Sequence, residues 1–205
     1  KVAELNMIVV PGKKVEKIVY TMLNLPSEFL PLHSPIENRL VQIESKHAIK
    51  FLRKRGITAE DIIKYNIGFC KEGKYEYRVI IPSYDEYGKL NYFISRSYYT
   101  DEKMKYKNPE AQKEIIIFNE YLINWDKPVY IVEGAFDSIF IPNAIPMLGK
   151  FMSEHLFNKL YENAKKIIIC LDPDAWNDQE KLYHKLNIGK LMGKVWSIKL
   201  EGDKD

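Results

Sequence analysis

The sequence predicts an α/β protein, a parallel sheet with helices on both of its faces, preceded by a smaller α+β unit. Three observations lead there. From Pro128 onward, short apolar runs alternate with helix-length amphipathic stretches, the rhythm of strand–helix–strand units that build parallel sheets with right-handed crossovers. Between Tyr77 and Tyr98, β-branched and aromatic residues dominate on both sides of Asp85-Glu86-Tyr87-Gly88, which reads as a hairpin turn. Finally, a chain of 205 residues, 46% of them hydrophobic, is long enough to bury two cores.

The elements follow in chain order. Leu25 to Leu32 belongs to a stretch with prolines at 26, 31 and 35, and is expected as an extended connector. Lys46 to Arg55 carries Ala48, Ile49, Phe51 and Leu52 at helical spacing and is closed by Gly56. Thr58-Ala59-Glu60-Asp61 offers a capping box for a short helix bearing Ile62 and Ile63. After the hairpin comes a lysine-rich loop, Lys103 to Pro109. The second unit reads as strand Val129 to Val132, helix Ala135 to Ile141, strand Ile145 to Leu148 and helix Ser153 to Ala164 with Ser153 as N-cap. Strand Lys166 to Leu171, helix Asp178 to Leu191 and strand Lys194 to Leu200 complete it. The expected division is a connector over 1–45, a basic α+β unit over 46–126 and the parallel-sheet unit over 127–205.

Charge is nearly balanced, 31 Lys and Arg against 28 Asp and Glu, so net charge alone names no partner. If acids gather in one pocket, the remaining surface is more basic than the sum suggests. Cys70 and Cys170 have neither zinc-site spacing nor disulfide density and read as buried thiols of a reducing compartment. No apolar run approaches the ~20 residues of a membrane span, and the N-terminus lacks the form of a signal peptide; a cytoplasmic protein without a membrane partner is expected. The four histidines, His33, His47, His155 and His184, show no metal-like clustering and are expected at the surface. The chain opens at Lys1 and stops in the acidic stretch Glu201 to Asp205, which reads as a piece of a longer polypeptide.

In an open parallel sheet, functional groups collect at the carboxyl ends of the strands. Glu133 follows the Val129 strand, Asp172 and Asp174 follow the Lys166 strand, and Asp205 follows the last one. These four are spread over more than seventy positions yet are expected on one sheet edge. Asp137, one helical turn beyond Glu133, can point back to the same place. Carboxylates so gathered raise one another's pKa unless a cation sits among them, and Mg²⁺ or Mn²⁺ with oxygen ligands suits them. Such an ion fits phosphate chemistry. A lone Asp at a strand end is more often a cap; two apolar strands ending in Glu-Gly and Asp-x-Asp are far more specific. The absence of a Gly-x-Gly-x-x-Gly turn after Val132 argues against a dinucleotide-dependent oxidoreductase.

Val129-Tyr-Ile-Val-Glu133-Gly134-Ala-Phe-Asp137 and Ile167-Ile-Ile-Cys-Leu-Asp172-Pro-Asp174 resemble the two signature motifs of the TOPRIM domain, a Rossmann-like fold shared by DnaG-type primases, topoisomerases and some nucleases. Upstream, Arg55-Gly-Ile-Thr58 and Tyr65-Asn-Ile-Gly-Phe69 are similar to the opening of the primase catalytic core. Arg78-Val-Ile-Ile-Pro82, Asp85, Gly88, Phe93-Ile-Ser-Arg96 and Lys105-Tyr-Lys-Asn108 resemble its basic motif series in order and spacing. The connector looks like the linker after a zinc-binding domain in phage primases, although this stretch holds no zinc ligands and is expected to bind no zinc.

The resemblance implies a nucleotidyltransferase: a DNA primase core, bacterial or phage, that synthesises short RNA primers from ribonucleoside triphosphates on a single-stranded DNA template during DNA replication, with a replicative helicase as partner. It implies Glu133, Asp172 and Asp174 as catalytic metal-holding residues assisted by Asp137 and Asp205. Arg78, Arg96, Lys105, Tyr106 and Asn108 would contact nucleotide and template. Two departures stand out: Ala175-Trp-Asn-Asp178 follows Asp-x-Asp where the family has Gly and Ala, and Asn119 follows Phe118 where the family often has Lys. The alternatives are a TOPRIM nuclease or topoisomerase-like enzyme, and a non-catalytic replisome module that binds single-stranded DNA.

Overall fold

The computed structural model describes residues 23–200. Two four-stranded sheets organise them. The first is antiparallel, in the order β1 (Phe29–Pro31), β2 (Gly68–Cys70), β3 (Arg78–Tyr84), β4 (Leu90–Ser97). The expected connector therefore contributes an edge strand: Phe29 pairs with Cys70 and Pro31 with Gly68. Proline is tolerated there because an edge position does not need its missing N–H. Gly68 is required at this crossing, since a Cβ would run into the Phe29 ring and the Leu30 carbonyl.

Helix α1 (Arg39–Lys54) starts seven residues earlier than expected, because Asn38 caps it: its side chain accepts from the N–H groups of Leu40 and Val41. Helix α2 (Ala59–Lys64) has the expected capping box, with Thr58 and Asp61 satisfying one another's backbone donors. The hairpin of β3 and β4 turns at Asp85, whose Oδ1 accepts from Tyr87 N and Lys89 N.

The second sheet is entirely parallel, in the order β6–β5–β7–β8, built from β5 (Val129–Val132), β6 (Ala144–Pro146), β7 (Ile167–Ile169) and β8 (Val195–Ser197). Helices α3 (Asp137–Phe140), α4 (Glu154–Asn163) and α5 (Trp176–Leu186) connect them. Helix α3 is one turn instead of the expected seven residues. Ile141 precedes Pro142, whose ring disfavours helical backbone at the residue before it, and Ile141 is extended. Ser153 caps α4 as expected.

From β5 the chain passes to β6 on one side, then crosses back to β7 on the other, so the strand order reverses between β5 and β7. That is a topological switch point, where the carboxyl ends of adjacent strands open a crevice. The units are interlocked. Leu52, Ile57, Phe69, Val79 and Tyr92 of the first core pack with Ala135, Phe136 and Ile139, which follow β5, while Ile117 packs in the core of the second sheet.

Candidate active site

The crevice holds the three acids that the two motifs supply. Glu133 follows β5 directly, and Asp172 and Asp174 lie in the turn after β7. The strands are level, with Ile131 opposite Ile169, and the Cys170 N–H donates to the Ile131 carbonyl at 2.9 Å. Glu133, Asp172 and Asp174 each offer a carboxylate oxygen, and these oxygens all lie within 4.8 Å of one another. Three oxygen donors from two backbone segments match part of the oxygen shell that a hard divalent cation takes. Glu133 and Asp172 are half-buried and Asp174 is exposed, so the group faces outward into a cavity.

Asp137 is not part of this trio. Its Oδ2 accepts from the Gly134 N–H at 2.8 Å, which makes the carboxylate a clamp on the turn that presents Glu133. A Cβ at Gly134 would press against that same oxygen, so glycine is what allows the approach. Asp205 lies outside the described residues.

The turn after β7 is held by a residue that sequence reasoning passed over. Gln179, on α5 and fully buried, accepts the Leu171 N–H at Oε1 (2.7 Å) and donates through Nε2 to Ser197 Oγ and the Ile198 carbonyl (2.9 Å each). It thereby ties α5 to the ends of β7 and β8 immediately before Asp172. Only its place directly after Ala175-Trp-Asn-Asp178, where the motif departs from the family, sets it apart in the sequence. Cys170 sits beside the trio half-buried, its thiol pushed up by burial and by Asp137 and Asp172; Cys70 is fully buried and pushed up to about 12 by burial and Glu28.

The basic hairpin and the loop after it contribute Tyr92, Ile94 and Tyr106 to the same cavity. The Arg96 guanidinium donates to the Tyr106 hydroxyl and lies 4.5 Å from the centre of that ring, with Phe136 further off at 5.9 Å. Arg55, at the C-terminal end of α1, lies against Phe51 and Phe136 at 5.2 and 5.1 Å. Desolvation on those rings and the neighbouring Arg96 lower its pKa, opposed by Tyr106 and Asp137. Arg55 was not among the expected contact residues, yet it stands beside Arg96. Asn108 lines the cavity and accepts the Ser95 N–H at 3.0 Å, which holds the lysine loop on β4.

Arg78 lies elsewhere. It is buried, 5% exposed, and its two terminal nitrogens donate to the carbonyls of Met104 and Lys105 at 2.7 and 3.1 Å. Burial lowers its pKa, partly offset by Glu102. Its guanidinium is spent on the backbone of the lysine loop, so it shapes that loop instead of lining the cavity. Lys105 itself is exposed. Asn119, where the resemblance leaves a gap, is buried: its N–H donates to Ser83 Oγ and its Oδ1 accepts from Tyr84 N.

The cavity has a volume of about 640 Å³ and spans both units, from Tyr92, Tyr106 and Asn108 to Glu133 and Asp174. No family model matches the chain. Its backbone matches the solved DnaG catalytic core with a TM-score of 0.65 over 81% of this chain and 68% of that one, at 22% identity. A DnaG primase catalytic domain bound to single-stranded DNA also matches at 0.65, over 85% of this chain and 68% of that one, at 20% identity.

The chain has the fold of the DnaG primase catalytic core.

In sequence, this primase-like core is 25% identical to the DNA primase of Legionella pneumophila over 87% of its length but only 39% of that protein's, and 27% identical to an uncharacterized protein of Mycoplasma genitalium over 83% of each. The chain thus spans about two-fifths of the Legionella primase. Among the described residues, no helix is long and apolar enough to cross a membrane.

Proposed function

We propose that this chain is a nucleotidyltransferase core that joins ribonucleoside triphosphates into a short RNA primer on a single-stranded DNA template, as part of a longer replication protein acting in the cytoplasm. The observation that carries the reading is one cavity lined both by Glu133 and Asp174, two of the three convergent carboxylates, and by Tyr106, whose hydroxyl is bonded to Arg96, in a fold shared with a DnaG domain bound to single-stranded DNA.

Glu133, Asp172 and Asp174 would hold Mg²⁺ or Mn²⁺. Bound there, such an ion offsets phosphate charge and favours ionisation of a nearby hydroxyl. The reaction forms a bond between a 3′ oxygen and an α-phosphorus and breaks the α–β phosphoanhydride, releasing pyrophosphate. The side chains supply position and charge for it. Asp137 holds the Gly134 turn and so sets the direction of Glu133; Gln179 does the same for Asp172. Arg96 and Arg55 place two fixed cations beside the apolar Phe136, where a phosphodiester backbone is attracted electrostatically. Tyr106, ring exposed and hydroxyl tied to Arg96, offers a face on which a base stacks. Arg78 keeps Lys105 and Tyr106 in reach through the loop backbone, and Asn108 anchors the same loop to β4.

The test is incubation with labelled single-stranded template, four ribonucleotides and Mg²⁺ or Mn²⁺. New RNA is expected with the wild-type chain and none with Asp172→Asn, whose circular dichroism spectrum stays native. Strand cleavage without RNA would replace this reading by a TOPRIM nuclease, and synthesis undiminished in Asp172→Asn would remove Asp172 from the chemistry.

A further inference from the structure

Two lysines line the cavity that neither motif includes, Lys113 and Lys150. They come from opposite units. Lys113 stands on a single 3₁₀ turn, Lys113–Ile115, with its Nζ 6.0 Å from the centre of the buried Tyr92 ring. Lys150 follows β6 at the same sheet edge as Glu133, and its Nζ is 5.6 Å from the ring of Phe151, which is 74% exposed. Each ammonium lies over an aromatic ring among the cavity's lining residues or next to them, a cation–π position that gives a long flexible side chain a preferred direction.

The loop that presents Lys150 is unusual in its backbone. Leu148 adopts φ +57°, a left-handed conformation costly for a bulky side chain. The loop is anchored before that point, where Met147 N donates to the Val132 carbonyl at 3.0 Å. Met147, Leu148, Gly149 and Lys150 all line the cavity, so the strained residue lies within its lining. Strain of this kind persists where surrounding structure fixes it, and here it falls two residues before a lysine that lines the cavity.

Charge completes the argument. Glu133, Asp174 and Asp178 line the same cavity as the two lysines, so it offers both carboxylates and ammonium groups. A ligand matching this pattern is negative at both ends of its reach: one anionic group meets a cation held by the carboxylates, and further anionic groups extend to the lysines. The volume of about 640 Å³ lies in the range of small-molecule sites. We propose that Lys113 and Lys150 form a polyphosphate subsite that grips the β- and γ-phosphates of a nucleoside triphosphate whose α-phosphate faces Glu133, Asp172 and Asp174. This rests on the nucleotidyl-transfer reading above and adds the residues that distinguish a triphosphate from a monophosphate. Because the lysines belong to different units, one bound triphosphate also bridges the two.

The experiment is a binding titration, with Mn²⁺ present, of ribonucleoside tri-, di- and monophosphates carrying a fluorescent ribose label. It uses the full chain, Lys113→Gln, Lys150→Gln, the double variant and the two Lys→Arg controls. The wild type should prefer triphosphate over monophosphate, each Gln variant should lose about tenfold on triphosphate with monophosphate unchanged, and the double variant should lose the preference. The Arg variants should retain it. A wild-type preference unchanged in the Gln variants overturns the subsite and leaves the primase reading intact; equal losses for tri- and monophosphate also overturn it, since the lysines would then act on the site as a whole. A wild-type chain indifferent to phosphate number would sink the nucleotidyl-transfer reading itself.

Discussion

Replacing Gln179 by leucine removes a buried amide that holds three partners and leaves a side chain of similar volume in its place. The Leu171 N–H, in a residue only 3% exposed, loses its acceptor and cannot reach water, which costs about 1–3 kcal/mol. The Ser197 hydroxyl and the Ile198 carbonyl lie nearer the surface and recover part of their hydration; each contributes about 0.5–1.5 kcal/mol. The expected loss is about 2–6 kcal/mol, which for a chain of this size lowers Tm by roughly 4–24 °C. Because Leu171 immediately precedes Asp172, the carboxylate turn loosens as well, so Mn²⁺ affinity should fall with stability. Differential scanning calorimetry and an EPR titration of Mn²⁺ report the two quantities. A Gln179→Leu chain that melts within a degree of wild type and binds Mn²⁺ equally well would refute the reasoning.

Other perturbations act at a distance from the carboxylates. Lys159 reaches Glu120 at 2.7 Å and Glu86 at 3.1 Å, and Glu120 is 7% exposed; Lys159→Met should cost about 3 kcal/mol in urea unfolding by stranding that carboxylate. Arg78→Ala should release the loop at Met104 and Lys105, seen as faster tryptic cleavage after Lys103 and Lys105 and weaker template binding; Arg78→Lys should not restore either, lacking the two-pronged fork. His155 is half-buried, and burial, with Lys159 nearby, holds its pKa below the usual 6.5 against the opposing pull of Glu120, Glu86 and Glu162. Protonation is then easier in the unfolded chain, so stability is full above pH 6.5 and declines as pH falls below it. The Tm difference between wild type and His155→Gln should change in that window and stay level from pH 7 to 8.

The parallel unit was legible in the sequence because its strands are short and largely apolar and two of them, β5 and β7, lead into acids. The lengths of its helices were less so, and α3 shows why: the apolar spacing through Ile141 continues past the point where Pro142 stops the backbone. The early start of α1 was hidden by the proline run before it, although Asn38 in front of Arg39 is an ordinary capping signal. Side-chain direction was hardest to read. One-turn spacing brings Asp137 back beside the Glu133 turn, but it does not name the Gly134 N–H as the group its Oδ2 accepts from. Arg78 alternates as an outward strand residue would, yet its partners are carbonyls 26 and 27 positions downstream, which no local pattern encodes. Of the four histidines expected at the surface, three are exposed and His155 is tucked against α4's neighbours.

The strands that end in Glu133 and Asp172 are the two inner members of their sheet, each laced to a neighbour on either side, while β6 and β8 form its margins. Opening events that begin at a margin must break a whole ladder before they disturb either acid. The sheet can therefore fray at its margins while the oxygens at its centre keep their spacing. Amide exchange at Ile131 and Ile169 should be the last in this sheet to report any such motion.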